Sequence, residues 1–263
     1  MYQERSVTET LLSCSILYMS SITYYCMKEI ADSKTLLIIG AGGIGSTLVD
    51  VLTPALRRIG INCQIIIMDG DLVEATNLGH QRFTSNDIGV AKVDALAQRH
   101  VANGESSVTV RAIAEDLRNL EQLNDADLVI VCVDRPEPRR LIHQLQVPWA
   151  DLRCGGDGHL VMTSDSQNAL VEAMTPDHPA KSCQHEGALE SGNLEFGFLN
   201  AAAFGAQWAL QQLRGKPTPV PVSYPHLTLP TLERFRSQRL PHLLSSIHYL
   251  YPHPRTPSTT LSH

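Results

Sequence analysis

The chain has no Cys-x-x-Cys pair, although it holds six cysteines, at positions 14, 26, 63, 132, 154 and 183. At 263 residues it is long enough to bury a large core without covalent staples. The scattered cysteines, with 63 and 132 inside apolar strand-like runs, therefore read as reduced thiols and not as a disulfide framework. A basic excess is missing too: 21 Lys and Arg stand against 27 Asp and Glu, net −6, which removes any global pull toward nucleic acid or acidic membranes. No internal repeat is visible. Residues 10–27 lack charge, but six of those eighteen are Ser or Thr, and Glu4, Arg5 and Glu9 precede them without a basic excess. Residues 1–33 are accordingly read as a lead-in, neither a membrane span nor a signal peptide. Hydrophobic residues at 43% and charged residues at 18% leave a globular, cytoplasmic enzyme or binding domain as the expectation.

Charge and proline divide the chain. Residues 216–263 hold 9 of the 15 prolines, 5 of the 11 histidines, five basic residues and one acid, so this tail is +4 and the preceding 215 residues are −10. Prolines interrupt every apolar period there, and an irregular tail is expected. The run Ser223-Tyr224-Pro225-His226-Leu227-Thr228-Leu229-Pro230-Thr231 closely resembles the translation of a sequencing adapter. Residues from about 222 are therefore set aside as a sequence artefact, with the true C-terminus missing.

What remains is well punctuated. Thr35–Ile39 is an apolar run ending in Gly40-Ala41-Gly42-Gly43-Ile44-Gly45, and Ser46–Leu56 follows with helical apolar spacing. Cys63–Met68 reads as a second strand, closed by Asp69-Gly70-Asp71. Val108–Ile113 reads as a third, and Asp127–Val133 as a fourth, ending at Asp134. Helical segments are predicted at about Ala91–His100 and Leu117–Asn124, and a long Ala-rich helix over Leu194–Leu213 carries Phe196, Leu199, Phe204, Trp208 and Leu213 as core or dimer contact. The alternation predicts a doubly wound, Rossmann-like α/β sheet, mainly parallel, with helices on both faces.

In such sheets ligands sit beyond the carboxyl ends of the strands, where strand order reverses. The glycine loop, Asp69 and Asp134 all fall there. Gly40, Gly42 and Gly45 allow a tight turn and close approach of a nucleotide, and the following helix offers unpaired N–H groups. Asp69, 24 residues after Gly45, is placed to accept hydrogen bonds from a ribose. Up to this point the pattern fits either a dinucleotide, as in an NAD-dependent oxidoreductase, or ATP.

The next stretch separates them. Asp69-Gly70-Asp71-Leu72-Val73-Glu74-Ala75-Thr76-Asn77-Leu78-Gly79-His80-Gln81, then Asn86-Asp87-Ile88-Gly89-Val90-Ala91-Lys92, resembles the ThiF/MoeB/ubiquitin-activating superfamily, from about Lys34 to Leu213. Within it the chain looks most like the PRTRC-system ThiF proteins. The resemblance implies a ThiF-type adenylation domain over 34–215 that uses ATP and Mg²⁺ to adenylate the C-terminal glycine of a small β-grasp partner, ubiquitin-like or sulfur-carrying. It implies a homodimer, with no membrane and no direct nucleic-acid binding.

The residue roles it implies follow the chemistry. Lys92 is the main phosphate cation, Asp134 holds Mg²⁺, and Asn77 and Gln81 make neutral contacts to phosphates beside Gly40, Gly42, Gly43, Gly45, Asp69 and Asp71. His80 stands where the family pattern has arginine, replacing a permanent charge and several donors by one donor; Arg82 lies two residues on, and Arg5 is the one arginine before the glycine loop. This substitution leaves open a non-catalytic binding protein on the same fold. Cys183 in His178-Pro179-Ala180-Lys181-Ser182-Cys183-Gln184-His185-Glu186 is the acyl-acceptor candidate, with Lys181 and His185 to stabilise a thiolate. Cys154, His178, Cys183 and His185 are also zinc-ligand types, at a spacing unlike paired Cys-x-x-Cys sites.

Overall fold

A computed structural model describes residues 33–220, apart from Asn103, Glu105 and Lys181. All of these lie within the first of two compact units, Met1–Tyr224, and nothing of Pro225–His263 is described. The lead-in before residue 33, Arg5, Cys14 and Cys26, and the tail beyond 220 therefore lie outside the described residues.

The elements run β1 (Lys34–Ile39), α1 (Gly43–Ile59), β2 (Cys63–Met68), α2 (Lys92–Arg99), β3 (Val108–Ile113), β4 (Leu128–Val131), α3 (Pro136–Ile142), β5 (Trp149–Gly155), β6 (Gly158–Thr163), α4 (Asn168–Ala173) and α5 (Gly197–Leu213). They build one six-stranded sheet in the order β3-β2-β1-β4-β5-β6. The five strands β1 to β5 are parallel, and β6 returns antiparallel to β5. Leu36, Ile38, Ile65, Ile67 and Ile130 pack with α1 and α5 in the main core, which includes Leu48, Leu52, Phe198 and Trp208. Their alternates Leu37, Ile39, Val129 and Val131 are buried as well, so both faces of the sheet are covered, as the unbroken apolar strands require.

The second and third strands have the predicted bounds, and the fold is the expected mainly parallel, Rossmann-like α/β sheet. Four local expectations need correction. The first helix begins at Gly43, not Ser46, because the loop itself winds into its first turn, and it runs through Pro54 to Ile59 before Gly60 ends it at φ 69°. The fourth strand stops at Val131. Over 117–124 only a single 3-10 turn forms, Leu120–Leu123, where the Asn119 side chain accepts the Gln122 N–H and gives the backbone a local alternative to helix. The last helix starts at Gly197, where a Cβ would come within 2.4 Å of the Gly158 carbonyl oxygen, so this helix end presses on the β5–β6 turn.

The β5–β6 hairpin was not foreseen. Asp151 and Arg153 interrupt its apolar pattern, and the structure shows why they are tolerated. Asp151 is 0% exposed and is met by Arg139, by Arg153 at 2.5 Å and by His143 Nε2 at 2.9 Å. Arg139 also donates to the Val133 and Leu152 carbonyls, and Arg153 to the Met174 carbonyl and the Thr175 hydroxyl. The two guanidiniums share one carboxylate and fill their remaining donors with carbonyls and a hydroxyl, which is the condition for burying such a cluster.

Candidate active site

Strand order reverses between β1 and β4, and the segments leaving β1, β2 and β4 open at that crevice. The glycine loop is fixed from below: Gly40 donates its N–H to the Met68 carbonyl at 2.8 Å, with φ 99°, and a Cβ there would sit 3.0 Å from the Cys132 backbone. A Cβ at Gly45 would fall 1.9 Å from the Gly40 carbonyl oxygen, so helix and loop interpenetrate. A Cβ at Gly42 meets nothing within 4 Å. Above Gly42 there is open space, and the α1 N-terminus beside it has neither a side-chain cap nor an acid in its first turn. Free N–H groups and a positive helix end facing open space form a ready anion seat.

Asp69 serves the loop directly. One carboxylate oxygen accepts the Ala41 N–H at 2.6 Å and the other the Asp71 N–H at 2.8 Å. Burial raises its pKa, opposed by those two hydrogen bonds and by Lys92. Each oxygen keeps one further lone pair for a hydroxyl.

Lys92 is not on a solvated face. It is 6% exposed, its N–H bonds the Asp71 carbonyl at 3.0 Å, and its ammonium meets the Asp71 carboxylate at 2.9 Å. A buried ammonium paired with one exposed carboxylate is a cation kept close to the crevice and only partly neutralised.

Across from it, the loop 74–84 is held by its own turns. The Asn77 side-chain oxygen accepts the Glu74 N–H at 2.9 Å, which leaves its NH₂ free to turn outward. The Arg82 N–H donates to the Ser46 hydroxyl at 3.0 Å, tying this loop to α1. His80 is buried at 7% exposure, and burial, with Lys92 beside it, lowers its pKa; at neutral pH it is an uncharged imidazole. Its Nδ1 and the Gln81 Oε1 are buried atoms without a hydrogen-bond partner among the described residues. The far side of this loop borders a cleft of about 450 Å³ shared with Phe196, Phe198 and Leu199, which neither the glycines nor Lys92 line.

Asp134 follows β4 as an exposed carboxylate, and its charge bears on Cys183 and on Arg139. Cys183 is half-buried. Its carbonyl accepts the Gly156 N–H at 2.9 Å, and the Gln184 side chain both donates to and accepts from the Glu195 backbone. The structure thus brings Gly40–Gly45, Asp69, Asp71, His80 and Lys92 together, carries Asn77 and Gln81 on the adjoining loop, and sets Asp134 near Cys183. His185 does not serve the thiol; its Nδ1 pairs with Glu195 at 2.7 Å. Lys181 lies outside the described residues. The four zinc-ligand types do not converge either. His178 bonds the Pro179 carbonyl, His185 is taken by Glu195, and no grouping among the described residues could hold a metal through three or more His, Cys, Asp or Glu side chains.

Sequence reasoning missed Arg139, and it read Cys154 only as a zinc-ligand type, not as a neighbour of the Cys183 thiol. Arg139 is buried, and its charge reaches Cys132, Asp134, Cys154 and Cys183. Burial, with Arg153 alongside, pulls its pKa to about 9. Its one signal was position, at the first turn of the short helix that follows β4 and opens on Pro136.

Comparison with known proteins bears on the family and the fold. The ThiF family profile matches residues 15–242. Ubiquitin-like modifier-activating enzyme 5 of Aedes aegypti is 31% identical over 134 residues, 44% of this chain and 32% of that protein. Adenylyltransferase and sulfurtransferase UBA4 of Scheffersomyces stipitis is 31% identical over 144 residues, 53% of this chain and 30% of that protein. The chain spans about a third of the length of these curated relatives. Among solved structures, E. coli MccB superposes with a TM-score of 0.54 at 19% identity over 74% of this chain and 60% of that one. The same enzyme with ATP gives a TM-score of 0.50. With a match over most of its length and the fold to go with it, the chain belongs to the ThiF family.

Proposed function

We propose that this protein uses ATP and Mg²⁺ to adenylate the C-terminal glycine carboxylate of a small β-grasp partner, ubiquitin-like or sulfur-carrying, and that Cys183 then accepts the activated acyl group. The observation that carries the reading is the Lys92 ammonium, 6% exposed, held between Asp71 and the crevice in which an uncapped helix end faces the space over Gly42. Relatives named as a modifier-activating enzyme and as an adenylyltransferase and sulfurtransferase support the reaction class. A solved relative of the fold with ATP supports the nucleotide.

The chemistry explains the residue types. A carboxylate is a poor electrophile. Attack of its oxygen on the α-phosphorus of ATP, with pyrophosphate leaving, turns it into a mixed anhydride that a thiol can open. Both reactants are anions, so the site must neutralise and align them more than it must move protons. Lys92 and the α1 N–H groups would bind the phosphates, with Asp71 holding the ammonium in place before ATP arrives. Asp69 would bind the ribose through its remaining lone pairs, and Asn77 and Gln81 would offer neutral amide donors. Asp134 would hold Mg²⁺, a hard cation that supplies further charge neutralisation at phosphate oxygens. A cytoplasmic homodimer completes the proposal; sedimentation as a monomer at working concentration would remove that part.

The test is ATP–pyrophosphate exchange with β-grasp proteins encoded beside this gene. Exchange that requires the partner and falls by a factor of at least ~100 in Lys92→Ala supports the reading, the size expected when one preorganised charge contact is lost. Binding of NADH without ATP overturns it in favour of an oxidoreductase. The buried, neutral His80 favours a second reading, a binding protein that has lost catalysis. Exchange by the unaltered protein excludes that reading; exchange found only in His80→Arg supports it.

A further inference from the structure

Two half-buried thiols, Cys154 at the end of β5 and Cys183 on the loop before α5, face each other across segments that the fold clamps together. The Gly156 N–H holds the Cys183 carbonyl at 2.9 Å. Gly156 has φ 61°, and a Cβ there would strike the His185 ring at 2.3 Å, so glycine is what lets the two segments lie this close. The next residues are pinned in turn: Gln184 makes two bonds to the Glu195 backbone, and His185 takes both the N–H and the ring contact to the Glu195 carboxylate. The Cys183 loop is therefore fixed against the β5–β6 turn, which brings its thiol within interaction range of that of Cys154.

The surrounding groups differentiate the pair. The interaction with Cys154 holds the Cys183 thiol below its ordinary pKa, with Arg139 acting the same way against burial, while that shared interaction and burial push Cys154 up. Cys183 is thus the nucleophilic sulfur and Cys154 the one that follows. Cys132, the third thiol nearby, turns inward to donate to the Ile39 and Gly40 carbonyls, each at 3.2 Å, and burial raises its pKa to about 12.

We propose that Cys154 and Cys183 are a redox pair, closed to a disulfide by hydroperoxides and reopened by a dithiol reductant. The Cys183 thiolate attacks one peroxide oxygen: an S–O bond forms, the O–O bond breaks, and the departing alkoxide or hydroxide takes up a proton. Cys154, giving up its proton, then attacks the sulfenic sulfur: the S–S bond forms, the S–O bond breaks, and hydroxide leaves to become water. Two sulfurs are oxidised by one electron each and the peroxide is reduced by two. A dithiol reverses this by two exchanges and ends as its own disulfide. The pair stands on the clamping of the Cys183 loop to the β5–β6 turn, independently of the function proposed above. Its consequence, a switch that silences acyl transfer, rests on Cys183 being the acceptor proposed above.

Full-length protein treated with stoichiometric hydrogen peroxide, alkylated and mapped by mass spectrometry, decides the first part. The expected result is loss of two hydrogens, a cross-linked Cys154–Cys183 peptide, and reversal by dithiothreitol. Cys154→Ser is expected to lose the cross-link and gain oxygen at Cys183. Full alkylation of both thiols after peroxide, or a disulfide involving Cys14, Cys26, Cys63 or Cys132 in place of this one, overturns the pair. For the switch, the oxidised protein is expected to keep partner-dependent pyrophosphate exchange and lose thioester formation at Cys183. Loss of both or of neither overturns it. Absence of thioester in the reduced protein shows instead that the acceptor reading fails, while the mapping still decides the pair.

Discussion

Two glycines of one loop make opposite demands. At Gly45 the missing side chain makes room for protein, the Gly40 carbonyl; at Gly42 it leaves open space. Gly45→Ala should destabilise the fold by more than ~3 kcal/mol, since backbone meets backbone and neither can rotate away. Gly42→Ala, at φ −72° where alanine is at ease, should leave stability within ~0.5 kcal/mol while weakening ATP binding at least ~10-fold. Chemical denaturation beside nucleotide titration separates the two; equal loss of stability in both variants would contradict the assignment of the space over Gly42. The glycine spacing was legible in the sequence, but which glycine serves packing and which serves the crevice was not, because that depends on what lies opposite each Cα. Lys92 was legible as a motif residue, whereas its burial came from the Asp71 partner that only the folded loop supplies.

At the level of elements, β2 was readable from its apolar run Ile65–Met68, and β3 from the alternation of Val108, Val110 and Ala112 with Thr109 and Arg111, both at strand length. β5 was not, because it carries Asp151 and Arg153 inward, and Arg139 from α3 joins them on the same carboxylate. Asp151→Asn should therefore cost ~3–5 kcal/mol, two arginines being left buried without their counter-charge. Urea unfolding that changes by less than a third of this would refute the role. His143 sits in the same cluster, and burial, reinforced by Arg153 and Arg139, lowers its pKa to about 4 despite the contact with Asp151. The unfolded imidazole takes up its proton near the ordinary 6.5 and the folded one only near 4. Protonation in that window favours unfolding, so the urea midpoint should fall as pH drops from 6.5 toward 4. His143→Gln should flatten that slope; an unchanged slope would assign it to other groups.

For the whole molecule, binding to the folded state alone must raise stability. ATP at 100 times its dissociation constant is expected to add about 2.7 kcal/mol, readable as a rise in Tm, with no rise from NADH. A shift with NADH and none with ATP would reverse the proposed ligand. The architecture was legible because strands, glycine turn and helices alternate in one order that only a parallel crossover sheet satisfies. The family match extends beyond both ends of the 34–213 stretch that carried the resemblance, into residues outside the described set.

The reversal of strand order at β1 has a bearing on synthesis. One wall of the crevice follows β1 and β2; the other rests on β4, whose Cys132 reaches back 93 positions to the Ile39 carbonyl. On the ribosome the glycine loop emerges long before its opposite wall exists, and that late, long-range pairing is a slow contact to make. The proposed nucleotide contacts lie almost all on the early wall, and what waits for β4 is the Cys132 backbone under Gly40 and the Asp134 carboxylate. Nucleotide therefore rewards most a domain in which that buttress has already formed.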